Sequence, residues 1–262
     1  MNKTFIVNVG VNASHGALKS PIFLNGTFDF IPIPEKGRRV SCPQCSALPR
    51  YKDLRSYNGI DLLQLIPRGY NNLRVHNDPE FVTFTYGDYP TFSPRAANLK
   101  KACKGDFIFF LARLVKLQDK VFHEGGFFLV GFFEVDYVLK DVKTKPEASV
   151  MKLFKNNAHV RRAIFDPQFW DGFWVFKGSL RSHRFKYAIP FDREFCDAIL
   201  KDSKGEKLTW SNDRSELQII GSYTRACRVI EKQELQDAFM KMVEKKKHHW
   251  QEGLGRKSGY CA

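Results

Sequence analysis

Histidine and carboxylate side chains are concentrated in one short segment of the sequence, "HNDPEFVTFTYGDYP". It contains His76, Asp78, Glu80, Tyr86 and Asp88. Side chains of these types can transfer protons during catalysis or hold a divalent ion. Asp88, within "YGDYP", could instead belong to a turn, and the segment contains no metal motif such as HExxH. With histidines from elsewhere in the chain, the candidate catalytic residues are His15, Asp78, Asp88 and His159.

A polar loop follows the first apolar run of the chain, "TFIVNVGVN". Asn8, Asn12, Ser14 and His15 lie in or beside this loop. Amide and imidazole groups can hydrogen-bond to a base edge or to a phosphate. The alternative is a loop that only turns the chain after a strand. We take Asn8, Asn12 and His15 as candidate ligand-binding residues.

The segment "NNAHVRR" combines an amide, an imidazole and two adjacent guanidinium groups. Its residues Asn157, His159, Arg161 and Arg162 could clamp a phosphate near a helix end, although the same residues are also typical of a charged surface. Asn157 and His159 are therefore candidate ligand-binding residues. The predicted contacts to a nucleic-acid backbone are Arg161, Arg162, Lys177 and Arg181.

Aromatic rings alternate with short hydrogen-bonding side chains in "FWDGFWVFKGSLRSHRF". A base flipped out of a duplex needs a stacking wall and hydrogen bonds to its edge. Trp170, next to Asp171-Gly172, is the candidate for a wall on a loop, whereas Trp174 is predicted to lie in the core. Trp170, Ser179 and Ser182 complete the candidate ligand-binding residues.

The cysteine pattern gives no indication of a structural metal or a disulfide framework. Cys42 and Cys45 form the only CxxC of the sequence, whereas structural zinc needs four ligands. His76 or Cys103 could complete such a site, but their spacing does not indicate it. The phosphate-binding, dinucleotide-binding and hydrolase motifs GxxxxGK[ST], GxGxxG and GxSxG are absent. We therefore predict no metal and no cofactor.

Composition indicates a globular chain with a polyanionic partner. The 262 residues include 42 Lys and Arg against 28 Asp and Glu, a net charge of +14, and 24 Phe residues that predict an aromatic-rich core. Such an excess favours a polyanionic partner such as DNA or RNA. The predicted partner is a nucleic acid, DNA in preference to RNA, or a nucleotide. No run reaches the 18 apolar residues typical of a membrane span, and we predict a cytoplasmic protein without a membrane partner.

The sequence changes from basic and polar to apolar within "KKACKGDFIFF", and periodicity predicts several secondary-structure elements around this point. A helix capped by Ser93 is predicted to end at Gly105, and two antiparallel strands to follow at 106–117 and 126–139, joined by a turn-like link. The first of them is apolar on both faces and should be central. Further predictions are strands at 4–12, 171–179 and 184–191, an Asn25-Gly26 hairpin, helices at 145–156, 192–202 and 234–247, and strand–turn–strand at 217–230.

The segment 99–140, with "KGDFIFFLARL" and "GGFFLVGFFEVDYVLKD", resembles the PUA-like superfold of the EVE, ASCH and YTH domains. A wider set of motifs, "NVGVNASHG", "FIPIPE", "DPEFVTFTYGD", "NAHVRR", "FWVFKGS" and "SYTRACR", resembles the third nucleotide modification associated domain family. The resemblance implies an α+β fold: a PUA-like, mixed and mainly antiparallel β-barrel decorated with helices. We expect a single domain at 1–250, an irregular insertion at about 36–80 and a flexible tail at 251–262.

That family is associated with DNA modification and defence in bacteria, archaea and phages. The resemblance thus implies a nucleic-acid-associated domain, and we predict that it recognises a modified base or nucleotide in a barrel pocket. Two alternatives remain open: an enzyme acting on a base or nucleotide (a transferase, glycosylase or nuclease), and a binder of small nucleotides. Acidic and histidine side chains within hydrogen-bond reach in one cleft would favour the enzyme, whereas aromatic rings and neutral donors would favour the reader. The base, its modification and the oligomeric state stay open.

Overall fold

A computed structural model describes residues 2–35, 48–201, 206 and 208–247. The strands are Thr4–Val9 (β1), Ser20–Ile22 (β2), Ile33–Pro34 (β3), Val75–His76 (β4), Thr85–Asp88 (β5), Phe107–Gln118 (β6), Val121–Val142 (β7), Phe173–Gly178 (β8), His183–Pro190 (β9) and Arg228–Ile230 (β10). The α-helices are Ala148–Phe154 (α1), Ala158–Phe165 (α2), Arg193–Ile199 (α3), Glu216–Tyr223 (α4) and Gln233–Lys247 (α5). Cys42, Cys45 and the predicted tail at 251–262 lie outside the described residues.

The long hairpin of β6 and β7 is the centre of the fold, as predicted. The two strands pair antiparallel from Phe107↔Glu134 to Gln118↔Val121. The predicted link at 118–126 is wrong, because only Asp119 and Lys120 turn the chain, at φ of 52° and 64°. A two-residue turn with both φ values positive matches the twist of paired strands, so β7 begins directly after it.

The Gly105-Asp106 step joins the hairpin to the start of the chain. Gly105 has a φ of +90°, and the buried Asp106 carboxylate accepts backbone N–H groups from Lys3 at 2.7 Å and Cys103 at 2.9 Å. The helix predicted before this step is wrong: a 3₁₀ helix spans only Ala97–Lys101. The side chain of Ser93 does not cap it, because the backbone carbonyl of Ser93 accepts the Ala96 N–H in a preceding turn instead.

The large sheet is mixed but mostly antiparallel. Its order is β10-β1-β6-β7-β8-β5, with β2 also pairing with β6 and β9 with β7; the pairings of β1 and β2 with β6 are parallel. The closed PUA-like barrel is not confirmed, since no strand pairing of the described residues joins β5 to β10. The fold is therefore a mixed α+β fold with an open-ended sheet.

Both faces of β6 are buried, which confirms its central position. Ile108, Phe110 and Ala112 lie in one core cluster, together with Phe133 and Trp174. The alternate residues on the other face pack against α3 and α5, which lay Phe195 and Phe239 over Phe109 and Leu111. Because successive strand residues point to opposite faces, an apolar run of this length serves two cores at once.

Beyond the helix before Gly105, two further helices differ from the prediction. α2, Ala158–Phe165, was not predicted as a helix. Residues 217–230 do not form strand, turn and strand, because Glu216–Tyr223 is a helix (α4). Its start is a capping box, in which Ser215 accepts the Gln218 N–H and Gln218 accepts the Ser215 N–H. α1, α3 and α5 are confirmed, as are the cap of α3 by Asp192 and the buried face of α5 with Phe239, Met242 and Val243.

The described part of the predicted insertion, 48–80, is built from turns and short 3₁₀ helices. These helices are Tyr51–Asp53, Leu62–Gln64 and Arg68–Tyr70. They pack around their own apolar cluster, in which Tyr51 and Val75 are fully buried, and the two-stranded pair β3–β4 closes the region. The domain limits stay a prediction. Of the helices in the described residues, none combines the length and apolarity that a membrane crossing requires.

Candidate functional site

Three side chains from two distant parts of the sequence converge beside β5. His76 Nε2 lies 3.1 Å from His159 Nε2, and Asp78 Oδ2 lies 3.4 Å from His159 Nε2 and 3.8 Å from His76 Nε2. We call His76, Asp78 and His159 the His–Asp cluster. Each of its members offers one atom that can bind a metal or a proton.

Asp78 is held by backbone and side-chain donors. The Gly87 N–H, on β5, points at both carboxylate oxygens, at 3.0 and 2.8 Å, and Asn157 Nδ2 lies 3.5 Å from Oδ2. Burial raises the pKa of Asp78 well above its ordinary value, although these hydrogen bonds oppose the shift. The carboxyl group is therefore fixed in direction and has an altered proton affinity, as is common at functional sites.

The start of α2 fixes the position of His159. The Asn157 side chain caps this helix by accepting the N–H groups of His159 at 3.0 Å and Val160 at 3.4 Å. Burial lowers the pKa of His159 well below its ordinary value, and the nearby His76 and Arg162 add to the effect. The ring is thus neutral. Its Nδ1 has no hydrogen-bond partner among the described residues, and Nε2 faces the other members of the cluster.

A second carboxylate orients His76 from behind. His76 Nδ1 lies 2.8 Å from Glu35 Oε2, and Glu35 Oε1 accepts a hydrogen bond from Arg162 at 2.8 Å. Burial opposes the charge of Glu35, but the hydrogen bond and charge of His76 and the charge of Arg162 outweigh it and lower the pKa of Glu35. Glu35 is therefore a carboxylate, and the Nδ1 of His76 carries the proton that it accepts.

Asp88, the last residue of β5, adds a further carboxyl group to the site. The Tyr86 hydroxyl donates to Oδ2 at 2.7 Å and the Tyr89 N–H donates to Oδ1 at 2.7 Å. Burial raises the pKa of Asp88 above its ordinary value, against these two hydrogen bonds. A carboxyl group in a cleft whose pKa is raised above its ordinary value is a candidate general acid or base.

The cluster opens into one elongated cleft. A cavity of about 460 Å³ is lined by all three cluster residues together with Asp88. It continues into a larger cavity of about 900 Å³, and the residues that line both are Asn8, Asn12, Ser14, Ile33, Tyr86, Asp88 and Arg95. Each of the two cavities has a volume typical of a ligand site.

The far end of the cleft is basic. Arg95, Arg113 and Arg225 line the larger cavity, and their guanidinium groups form no ion pair with a carboxylate of the described residues. The Nε of Arg113 is buried without a hydrogen-bond partner there. Phe127 lines the same cavity. This end thus offers unpaired cations and an aromatic ring, as binding of a phosphorylated base requires.

The cleft collects all four predicted catalytic residues and part of the predicted ligand set. Three regions of the chain contribute: the loop after β1, the β4–β5 segment and the start of α2. Asn157 lies behind the cleft as the cap of α2, where it positions His159 and contacts Asp78. The predicted residues that line the cleft are Asn8, Asn12, His15, Asp78, Asp88, His159 and Arg162.

Other predicted ligand residues lie elsewhere. Ser179 donates to Glu134 at 2.6 Å, and the buried Ser182 accepts the Glu134 N–H at 3.1 Å, so both are bound to the interior of β7. Trp170 stacks on Phe173 at 5.8 Å and packs in another apolar cluster, so it does not line the cleft. Trp174 is core, as predicted.

The predicted backbone contacts are scattered. Arg162 lines the cleft but is paired with Glu35. Arg181 pairs with Glu134 at 2.9 Å, and Lys177 Nζ donates to the carbonyl oxygens of Thr83 and Gly178. Arg161 lines a separate small cavity of about 200 Å³. The structure does not bring these four cations to one surface, and their contact with a nucleic acid stays a prediction.

Sequence reasoning missed Glu35, Gly87 and the arginines of the basic end. Gly87 had a signal, since it stands between Tyr86 and Asp88 in a strand, and an interior strand glycine often marks a close approach. A Cβ at Gly87 would lie 2.4 Å from His159 Cδ2 and 3.0 Å from Asp78 Oδ2. Glu35 and the arginines had none, because only the fold brings them to the cleft.

Replacing Gly87 with alanine is expected to displace the His159 ring and to lower the free energy of unfolding by about 1–3 kcal/mol, as overpacking does. Urea denaturation measures the stability, and the NMR signals of His159 report the ring. Gly69→Ala is the control, because nothing lies within 4 Å of a Cβ there. Equal effects of the two substitutions would contradict the steric explanation.

The comparisons with known proteins give one match. The family model described as nucleotide modification associated domain 3 matches residues 3–186. The chain belongs to this family. The nucleotide modification associated domain 3 region contains the whole His–Asp cluster, Asp88, Arg95 and Arg113, whereas Arg225 lies beyond it. No curated protein and no solved structure matches the chain. Membership links the chain to nucleotide modification, as the sequence motifs predict.

Proposed function

We propose that this protein is an enzyme that acts on a base or nucleotide bound in the cleft. The convergence of His76, Asp78 and His159 within 3.1–3.8 Å of one another, in a cavity that Asp88 also lines, is the observation that carries the proposal. Purely structural carboxylates and histidines are rarely buried together at the wall of an open cavity, whereas catalytic ones are.

The two ends of the cleft suggest different roles. The unpaired Arg95, Arg113 and Arg225 would bind the phosphate groups of the substrate, because guanidinium groups match phosphate oxygens in charge and geometry. The rings of Tyr86 and Phe127 would flank the base. The reacting atom would then lie towards the His–Asp cluster, where Asp88 could give or take a proton.

Family and charge support a substrate of this class. The matched family is associated with nucleotide modification, and the net charge of +14 favours a polyanion. The substrate would be DNA in preference to RNA, or a free nucleotide. A transferase, a glycosylase and a nuclease all fit such a site, because each needs proton transfer next to a bound phosphate.

A modified-base reader is the second candidate, and the wall next to the loop after β1 favours it. Asn8, Asn12 and Ser14 line both cavities and offer neutral donors and acceptors to a base edge. A reader, however, has no need for a buried and a half-buried histidine that both approach a carboxylate. The acidic and histidine side chains within hydrogen-bond reach therefore favour the enzyme.

Product analysis tests the enzyme against the reader. The protein is incubated with modified and unmodified DNA and with nucleotides, the mixture is digested to nucleosides, and these are separated by mass. An enzyme is expected to create or remove a nucleoside or a free base, or to shorten the strand in a sample that is analysed before digestion. If the protein binds one modified oligonucleotide but changes the mass of no product, the modified-base reader becomes the favoured function.

Replacing Arg113 with glutamine is expected to weaken binding of a DNA oligonucleotide or nucleotide by about 10–150-fold, since a hydrogen bond to a charged group is worth about 1.5–3 kcal/mol. The salt dependence of binding should fall by about one unit of slope. Arg193→Gln removes the same charge from an exposed ion pair with Asp197, outside the cleft, and is the control. Equal losses of affinity for Arg113→Gln and Arg193→Gln would show that the cleft is not the binding site.

A further inference from the structure

We propose that the His–Asp cluster binds one divalent first-row transition-metal ion of the zinc class, through His76 Nε2, His159 Nε2 and one oxygen of Asp78. The inference deepens the proposed function and rests on it for the role of the ion, but the binding itself is tested without any substrate. The sequence contains no metal motif, and the ligands come together only in the fold.

The distances match the ligand shell of such an ion. Bonds of about 2.0–2.2 Å to nitrogen and oxygen place neighbouring tetrahedral ligands about 3.3–3.6 Å apart. The three separations are 3.1 Å between the two Nε2 atoms, 3.4 Å from His159 to Asp78 and 3.8 Å from His76 to Asp78. They bracket the expected value, so an ion at the centre needs only small shifts of the rings.

One hydrogen cannot join all three atoms of the cluster. If one Nε2 donates its hydrogen to the other, that hydrogen is not available to Asp78 Oδ2 at 3.4 Å, which keeps only the hydrogen bonds from Gly87 and Asn157. If it donates to Asp78 instead, the lone pair of the other Nε2 is left without a donor at 3.1 Å. A cation between them accepts all three lone pairs at once and compensates the buried carboxylate.

The surroundings of the cluster resemble the outer shell of a metal site. A metal-binding histidine usually donates its other ring N–H to a carboxylate or carbonyl, which fixes the ring and the tautomer. Glu35 accepts that bond from His76 Nδ1 at 2.8 Å and is itself held by Arg162. The Gly87 N–H restrains Asp78 in the same way, at 2.8 Å.

The types of the three ligands indicate which class of ion binds, and the coordination position that they leave open indicates what the ion does. Mg²⁺ and Ca²⁺ prefer shells made of oxygen, whereas two imidazoles and a carboxylate suit zinc and its neighbours. Three protein ligands leave at least one position open, which is typical of catalytic zinc. That position would face the cavity lined by Asp88, where the ion could polarise a substrate oxygen or a water molecule.

Calorimetry with the full chain, freed of metal by a chelator, tests the site. We expect one equivalent of Zn²⁺ or Co²⁺ to bind to the unaltered protein. His159→Gln and His76→Gln should each lower the affinity for the ion by at least about 100-fold. Glu35→Gln, which keeps the ligands, should cost about 10–100-fold. His123→Gln changes an exposed histidine on the β6–β7 hairpin and should change nothing. Mg²⁺ should give no comparable binding.

The spectrum of bound Co²⁺ separates this site from any other in the chain. Ligation by nitrogen and oxygen lacks the intense sulfur-to-cobalt band that Cys42 and Cys45 would give. A variant with His248 and His249 both changed to glutamine should still bind one equivalent of Co²⁺. Thermal denaturation shows that the variants are folded, and Asp78→Asn provides a third ligand change if a histidine variant is not.

The outcomes separate the two proposals. No binding to the unaltered protein, or binding that survives all three ligand substitutions, would overturn the metal site. Metal binding without any change of nucleosides would support the metal site and contradict the proposal that the protein is an enzyme. Conversion of nucleosides by protein that binds no metal would support the enzyme and contradict the metal site.

Discussion

Replacing Asp88 with asparagine is expected to reduce turnover of a base or nucleotide by about 10²–10⁴-fold, the usual contribution of one general acid or base. The amide keeps the size of the carboxyl group, its oxygen can accept the Tyr89 N–H and its NH₂ can donate to the Tyr86 hydroxyl, so binding should change little. Steady-state kinetics on the substrate found by mass analysis measures the effect. A loss confined to KM would show that Asp88 binds the substrate and transfers no proton.

The pH profile checks the same role. Because burial raises the pKa of Asp88 above the ordinary 3.8, a base at this position loses activity as the pH falls through a value higher than 3.8. The acidic limb should disappear in Asp88→Asn. Asp136→Asn is the control, since Asp136 lies in an exposed ion pair with Lys104. An unchanged acidic limb in Asp88→Asn would assign the ionisation to another group.

Replacing Phe133 with alanine is expected to lower the free energy of unfolding by about 3–5 kcal/mol, because truncation of a buried Phe loses burial and leaves a cavity. Phe133 is fully buried, and its ring contacts Phe110 at 4.6 Å and Phe81 at 5.7 Å between centroids. Urea denaturation measures the loss.

Phe92→Ala is the matched control for that core substitution. Phe92 is 60% exposed, and surface substitutions usually change stability by less than about 0.5 kcal/mol. Similar losses for the two variants would mean that the cluster around Phe133 does not carry the stability of the sheet. A loss below about 1 kcal/mol for Phe133→Ala would mean that the site collapses onto the cavity.

The central hairpin could be predicted because its signals are local. The Gly105-Asp106 step, the apolar residues on both faces of β6 and the alternation of β7 all lie within one stretch of the chain. The error at 217–230 has a local cause as well. "LQII" is too short a run to separate strand from helix, and the capping box of Ser215 and Gln218 at its start decides for the helix.

The site could be predicted only in part, because its geometry depends on long-range packing. His15, Asp78, Asp88 and His159 were chosen by residue type, and the cleft contains all four. The partnership of His76 with His159, 83 residues apart, depends on how β4 and α2 meet. Adjacent Arg161 and Arg162 resembled a phosphate clamp, yet the unpaired arginines Arg95, Arg113 and Arg225 come from separate segments.

The pairing of β1 makes the family segment dependent on residues beyond its own end. β1 lies between β6 and the late strand Arg228–Ile230, and α5 covers the face of β6 that carries Phe109, with Phe239 4.7 Å from the Phe109 ring. Residues 3–186, taken alone, would leave β1 with an unpaired edge and this face bare, which are two common causes of aggregation. A protein that carried residues 3–186 without the rest of this chain would therefore need another strand to pair with β1 and another helix to cover Phe109. The residues after 186 can vary in sequence only as long as they still form such a strand and such a helix.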